Sequence, residues 1–224
     1  MLLKLLAQLV PFLLFQGAVL FGAAGTLDWP QGWALMIEFS ALCLVISLWL
    51  WRTDPGLLAE RMGGIAQEAQ PASDRLLMIA IMIGWIGWCV AMGLEARWYG
   101  PRLPLLSEVL GGVLLALGYG TVAVVFRTNS FAAPVVKIQD ERGQRVIDTG
   151  PYAWVRHPMY TGGLLIFLAF PLMLGSLWGL ALVPLFVVAL MVRTMIEERT
   201  LRVALAGYDD YAARVRWRYL PYVF

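Results

Sequence analysis

Two short stretches carry most of the side chains able to do chemistry. The first, Val135–Gly163, reads VVKIQDERGQRVIDTGPYAWVRHPMYTGG and holds the chain's single histidine, His157. The second, Arg193–Pro221, reads RTMIEERTLRVALAGYDDYAARVRWRYLP and opens on Arg193 and Glu197, one helical turn apart. In the first, Gly150-Pro151-Tyr152 reads as a turn. Pro158 suits the first turn of a helix, where its missing N–H costs nothing. Arg156, His157 and nearby rings thus gather at a helix N-terminus, which can hold an anion. The simpler alternative has Arg156 anchored to lipid phosphate, with His157 and the tyrosines forming an interfacial belt. Arg193 and Glu197 also read two ways. They form either an i,i+4 ion pair worth about a few tenths of a kcal/mol, or groups facing a cavity, since ionisable side chains inside a membrane boundary tend to be functional. Glu197 and Glu198 point to different faces, and Glu197, aligned with Arg193, is the one expected to serve the cavity.

The elements that hold these groups must lie in lipid. Of the 224 residues, 60% are hydrophobic and 14% charged, against roughly 45–50% and about 25% for an ordinary soluble domain. That composition excludes a soluble globular enzyme, a disordered chain and a nucleic-acid binder. One histidine excludes multi-His metal sites. Cys43 and Cys89, far apart in apolar runs, form no disulfide framework or CxxC pair. Runs Leu9–Leu27, Trp33–Trp51, Leu76–Leu94 and Leu105–Phe126 each approach the roughly 20 residues of a membrane-spanning helix. Tyr160–Ile196 would measure roughly 55 Å unbroken, too long for one crossing. Pro171, Gly175, Ser176 and Gly179 interrupt it, so a helical hairpin breaking near Gly175 is expected, the turn being a simpler role for Gly175-x-x-x-Gly179 than helix packing. The expected fold is therefore all-α and polytopic, with five to six transmembrane helices and a cytoplasmic pocket. The whole of 1–224 is expected to be one membrane domain, 1–126 giving four helices and 127–224 the catalytic part.

Charge sets the orientation. With a cytoplasmic N-terminus, 15 of the 17 Lys and Arg fall inside, and only Arg97 and Arg102 outside. The positive-inside rule then places both termini in the cytoplasm, at the inner membrane if the source is bacterial. Lys4 ahead of an apolar run and Gly22-Ala23-Ala24 resemble a signal peptide, but the run exceeds a usual h-region. Arg52–Asp74 is expected to be a cytoplasmic linker with an interfacial helix around Leu57–Met62. Gln16 and Glu38 are expected to satisfy neighbouring helices. Tyr222-Val223-Phe224 offers no lipidation or retention signal.

The two polar blocks, over about Val135–Pro221, resemble the isoprenylcysteine carboxyl methyltransferase family of integral-membrane methyltransferases, including its prokaryotic members. The elements are Gly150-Pro151-Tyr152, Arg156-His157-Pro158-x-Tyr160-x-Gly162, Arg193-x-x-x-Glu197-Glu198 and Tyr208-x-x-Tyr211-x-x-x-Val215. The resemblance implies an S-adenosylmethionine-dependent enzyme without a Rossmann domain, acting on a lipophilic or prenylated substrate beside membrane lipid, with no nucleic acid or metal. It implies cofactor contacts at Gln144, Arg145, Val146, Ile147, Tyr152, His157, Pro158, Met159, Tyr160 and Glu197. It implies that Arg193 is catalytic, at the reacting end of the substrate. Lys137 stands where relatives place a glutamine, and Gln144-Arg145 depart from the usual residues.

The implied acceptor is a carboxylate of isoprenylcysteine type, already ionised at neutral pH and in need of no general base. A phospholipid amine would need one, and His157 is the candidate. Two other readings stand beside these: an NADPH-dependent membrane sterol or enone reductase, and a non-catalytic lipid-binding scaffold. Gly150-Pro151-Tyr152 and Glu197-Glu198 favour the methyltransferase over the reductase.

Overall fold

Apolar runs in lipid can satisfy their own backbone only as helices or closed barrels, and the regular structure here is helical. The computed structural model describes residues 1–67 and 70–223. Its α-helices are α1 (Leu2–Ala24), α2 (Pro30–Thr53), α3 (Pro55–Arg61), α4 (Ala72–Tyr99), α5 (Leu105–Thr128), α6 (Pro158–Met173), α7 (Leu177–Ala204) and α8 (Tyr208–Arg214). Helices α1, α2, α4, α5 and α7 are long and apolar enough to cross a membrane, while α6 is shorter, at 16 residues. The chain is thus an all-helical, polytopic membrane protein, with α6 and α7 forming the expected hairpin.

Several boundaries move from their expected places, each for a local reason. Helix α1 starts at Leu2 rather than Leu9, because Leu2, Leu3, Leu5 and Leu6 extend the apolar run past Lys4. It ends before Leu27, because Gly25 takes a left-handed conformation (φ 71°) and returns its N–H to the Phe21 carbonyl. Helix α3 starts at Pro55, two residues before the expected interfacial helix, with the Asp54 side chain accepting the Leu57 N–H at 2.9 Å. Asp74 belongs to the first turn of α4 and not to a linker. The linker Arg52–Asp74 includes residues 68 and 69, which lie outside the described residues, as does Phe224.

The hairpin break falls at Leu174–Ser176. Gly175 adopts φ 64°, and a Cβ there would meet Pro101 Cβ at 2.9 Å. Ser176 caps α7 by accepting the Gly179 N–H at 2.8 Å. The buried Glu95 carboxylate of α4 takes the Ser176 hydroxyl at 2.5 Å and the Trp178 N–H at 2.9 Å. Helix α4 continues past Leu94 to Tyr99, and this extra turn carries Glu95 to the hairpin break. Gly179 also packs closely, a Cβ there meeting Met92 Sδ at 2.7 Å.

Lipid tails are as apolar as leucine, so helices associate through close backbone approach and interhelical hydrogen bonds rather than hydrophobic exclusion. Helices α5 and α6 meet backbone to backbone: a Cβ on Gly118 would lie 2.9 Å from the Gly162 carbonyl oxygen, and one on Gly162 would lie 2.8 Å from that of Gly118. Gln16 of α1 accepts the Trp85 indole N–H at 2.9 Å and donates to Cys89 Sγ at 3.1 Å, both on α4. Trp88, Phe170 and Phe186 fill the centre, with Trp88 stacked on Phe170 at 5.9 Å. Outward-facing Leu14, Ile37, Val113 and Leu185 stay exposed, as side chains whose solvent is lipid should.

Because neither carbonyl can yield, Gly118→Ala and Gly162→Ala are each expected to lower unfolding stability by about 1–3 kcal/mol. Gly120→Ala, where an added Cβ meets nothing within 4 Å, serves as the neutral control. Thermal midpoints in detergent measure the difference.

Candidate active site

The polar end of the bundle gathers the C-termini of α2, α5 and α7, the N-termini of α4 and α6, and the segment 129–157. Pro158 starts α6 at its first position, with His157 as the residue before it. A single 3-10 turn, Gly150–Ala153, leads in. Arg156 and His157 pair through their N–H groups with the carbonyls of Trp217 (2.9 Å) and Arg218 (2.8 Å). The Arg156 guanidinium donates to Glu198 at 2.8 Å and to the carbonyls of Val215 and Arg216 at 2.8 and 3.0 Å. Glu198 also takes His157 Nε2 at 3.2 Å and Arg218 Nη2 at 3.1 Å. Thr161 closes the strap by donating to the Tyr219 carbonyl at 2.6 Å. Arg156 is therefore buried against Glu198, which corrects the reading that would place it on lipid phosphate.

One turn back along α7, Arg193 and Glu197 make no ion pair, contrary to one reading of their spacing. Arg193 turns toward α4, donating Nε to Asp74 Oδ1 at 3.2 Å and Nη2 to the Pro134 carbonyl at 2.6 Å. Asp74 is fully buried (0% exposed), and its other oxygen accepts Gln70 Nε2 at 2.7 Å and the Val136 N–H at 3.0 Å. A buried carboxylate outcompetes a half-exposed one for the guanidinium, because its uncompensated charge would cost more. Glu197 accepts the Tyr160 hydroxyl instead, with His157 Nδ1 at 3.7 Å. The Tyr160 ring lies 5.7 Å from the Arg193 guanidinium carbon and stacks on His157 at 5.4 Å.

A pocket of about 820 Å³, its open mouth included, lies beside these groups. Gln144, Arg145, Val146, Ile147, Tyr152, His157, Met159, Tyr160 and Glu197 line it. Pro158 does not; it sets the start of α6 and orients its neighbours. Arg193 stands behind Tyr160 rather than in the wall. The Gln144 side-chain carbonyl is spent on the Gln139 N–H at 2.8 Å. Sequence reasoning did not assign Asn129, Phe131, Leu201, Leu205, Tyr208 and Tyr211 to the wall. Tyr208 and Tyr211 had a signal in their one-turn spacing; Asn129, one residue of the polar run Arg127-Thr128-Asn129-Ser130 at the end of α5, had none.

Polar and apolar side chains share the wall about equally. Tyr152 accepts the Asn129 amide at 2.9 Å, and Tyr211 donates to the Tyr152 carbonyl at 2.9 Å. The Tyr208 hydroxyl is buried and without a partner among the described residues. Burial holds the phenols of Tyr152, Tyr208 and Tyr211 well above the usual tyrosine range, so they act as neutral donors. Among the described residues no three of His, Cys, Asp and Glu converge as metal ligands.

The comparisons fit this geometry. The sequence family described as phospholipid methyltransferase matches residues 106–206. The fold is similar to that of a solved structure, the eukaryotic intramembrane Ras methyltransferase ICMT (isoprenylcysteine carboxyl methyltransferase), with a TM-score of 0.55 and 19% identity over 99% of this chain and 85% of that one. No curated protein matches in sequence. Over that segment the chain is similar to the phospholipid methyltransferase family, and its fold is similar to that of an integral-membrane methyltransferase. The segment the family match covers includes the pocket's Tyr152, His157, Tyr160 and Glu197.

Arg156→Ala strips Glu198 of its main partner and frees the strap. It is expected to cost roughly 3–5 kcal/mol and to expose residues 215–219 to protease. Adding Glu198→Ala is expected to cost less than the sum of the single changes. Limited proteolysis and thermal midpoints of the single and double variants check this.

Proposed function

We propose that this methyltransferase uses S-adenosylmethionine to methylate the carboxylate of a lipophilic, isoprenylcysteine-type acceptor at the cytoplasmic face. The observation that carries the reading is the arrangement of Glu197, Tyr160 and Arg193, which offers an anion in the pocket wall and a cation behind the Tyr160 ring. The residues fit the cofactor: Glu197 faces the pocket with its side chain 28% exposed, and the Tyr208 hydroxyl is an unspent donor among the described residues. Bound there, S-adenosylmethionine supplies an electrophilic methyl group on a positively charged sulfur.

In this reading Glu197 holds the cationic amino-acid end of the cofactor. Tyr160 keeps that carboxylate aimed, and Tyr208 adds a hydrogen bond. The backbone of Arg145, Val146 and Ile147, which makes no hydrogen bonds among the described residues, can meet a polar heterocycle. Arg193, fixed by Asp74 and Pro134, orients the acceptor carboxylate. Leu201, Leu205 and Val146 exclude water. The acceptor arrives ionised, so no group must remove a proton, and positioning with desolvation supplies the catalysis. His157 supports the carboxylate reading, because its Nε2 is spent on Glu198 and its Nδ1 faces Glu197. It is poorly placed as a base for an amine.

The family's description favours a second acceptor, a phospholipid amine. The excess of Lys and Arg at the site end supports a cytoplasmic pocket with both termini on that side. We take residues 1–224 as one membrane domain, because the C-terminal part of the pocket is held by α4 as well as by α6 and α7.

Incubating the purified protein with labelled S-adenosylmethionine and a membrane lipid extract tests the reading. Label in an alkali-labile ester supports carboxyl methylation, label in a phospholipid amine supports the second acceptor, and no binding of S-adenosylmethionine overturns both. Glu197→Gln is expected to weaken cofactor binding by about 10- to 100-fold with little change in thermal midpoint, as calorimetry can measure. Arg193→Gln alone strands buried Asp74 and destabilises the protein by roughly 3–5 kcal/mol. Asp74→Asn together with Arg193→Gln is expected to recover much of that stability and cofactor binding without recovering turnover. Recovery of turnover would show that Arg193 only supports the fold.

A further inference from the structure

Outside the candidate active site, the C-terminal strap borders a second cavity. A groove of about 810 Å³, its open side included, lies between Trp154 and the residues Arg214, Arg216, Trp217 and Tyr222. It shares no lining residue with the candidate active site. Two of its rings are open to the surroundings, Trp154 being 72% exposed and Tyr222 86%. Tyr222 takes φ 68°, a left-handed conformation uncommon for a bulky residue, and its ring lies 5.4 Å from that of Trp217. Leu220 and Val223, on either side of that turn, are exposed as well.

The depth of this groove follows from the helices that hold the strap. Helix α6 has 16 residues, about 24 Å, which is roughly 6 Å less than the hydrocarbon core. The hairpin break after it sits among Trp98, Tyr99, Trp178 and Arg102, the residue types of a membrane–water interface. The shortfall therefore falls at the site end. Thr161, about 20 Å along α6 from the break, holds the Tyr219 carbonyl at 2.6 Å. His157, about 26 Å from the break, gives its N–H to the Arg218 carbonyl at 2.8 Å. The strap thus lies level with the outer edge of the hydrocarbon core, where exposed Trp154, Leu220 and Tyr222 meet lipid rather than water.

The groove is also positive. Two cations and no acidic side chain line it. Arg214 is engaged by Asp148 at 3.0 Å. Of the acidic residues on α8, Asp209 pairs with Arg202, and neither it nor Asp210 lines the groove. The Arg216 side chain is exposed and has no hydrogen-bond or ion-pair partner among the described residues; its carbonyl alone is used, by Arg156 at 3.0 Å. An unpaired guanidinium beside interfacial rings, at headgroup depth, is matched in charge by a lipid phosphate. We propose that this groove seats the headgroup of an anionic phospholipid from the leaflet on the site side, with its phosphate on Arg216, and so anchors the strap to the membrane. The proposal goes beyond the methyl-transfer reading and does not depend on it. A lipid held there steadies the residues whose carbonyls fix Arg156 at the start of α6, which gives membrane composition a route to the pocket.

Lipid adducts on the full-length, detergent-purified protein, counted by native mass spectrometry without S-adenosylmethionine, test this. Dioleoylphosphatidylglycerol is compared with dioleoylphosphatidylcholine, which has the same chains and no net charge, and with glycerol 3-phosphate, which has the anion and no chains. The wild type is expected to prefer phosphatidylglycerol over phosphatidylcholine by about fivefold. Arg216→Gln is expected to bring that ratio to within about twofold. Phosphatidylcholine binding and the thermal midpoint should stay unchanged, since the Arg216 side chain holds nothing else in place. Arg216→Lys is expected to keep most of the preference. Arg52→Gln, which removes an exposed cation in the last turn of α2 and outside the groove, is expected to leave the preference intact. Equal binding of the two lipids by the wild type overturns the proposal, as does a preference that survives Arg216→Gln. So does an equal loss in Arg52→Gln, the mark of diffuse surface charge, or glycerol 3-phosphate binding as tight as that of phosphatidylglycerol, the mark of a site for soluble phosphate.

Discussion

A carboxylate buried at the edge of a membrane must find enough partners to offset the water it has lost, and Asp74 finds them on three different parts of the chain. Gln70 comes from the segment just before α4, the Val136 N–H from the loop after α5, and Arg193 from the far end of α7. Removing any of them leaves a charge in surroundings that cannot solvate it. The pair is weak evidence for stability, since apolar replacements of buried ion pairs are often as stable. What it supplies is position: it fixes which way the α7 arginine points and where the loop forming one pocket wall must lie.

A second carboxylate, Glu198, repeats the device on the other side of α7, binding Arg156, His157 and Arg218. Between these two saturated hubs lies Glu197, with one tyrosine hydroxyl and its carboxylate partly exposed to the pocket. Three acidic groups thus have different availabilities. Two are consumed by the architecture, and one is left for a ligand. In a chain with so few charges, that division matters more than their number.

How much of this was legible in the sequence depended on whether the deciding interaction was local. The spans were legible because hydropathy is a property of each run, and the break near Gly175 because a glycine among helix breakers interrupts a run too long for the bilayer. The placement of Glu197 could be read from its spacing along α7. The partner of Arg193 could not, because Asp74 is 119 residues away and looked like the end of a linker. Nor could the pocket's use of Asn129, which depends on the chain folding back to bring Tyr152 within hydrogen-bond distance. Helical periodicity describes one helix at a time, whereas this pocket is built by the segment after α5 together with the start of α6, the end of α7 and α8.

The strap that joins residues 215–219 to the start of α6 also bears on the order of assembly. Every membrane-spanning helix is made and can be inserted before Val215 leaves the ribosome. Until residues up to Tyr219 follow, Arg156 lacks the carbonyls of Val215 and Arg216, and the N–H groups of Arg156 and His157 lack their partners. A nascent chain can thus be fully threaded through the bilayer while its pocket is still unfastened. Insertion and acquisition of the site are separate events in the life of this protein.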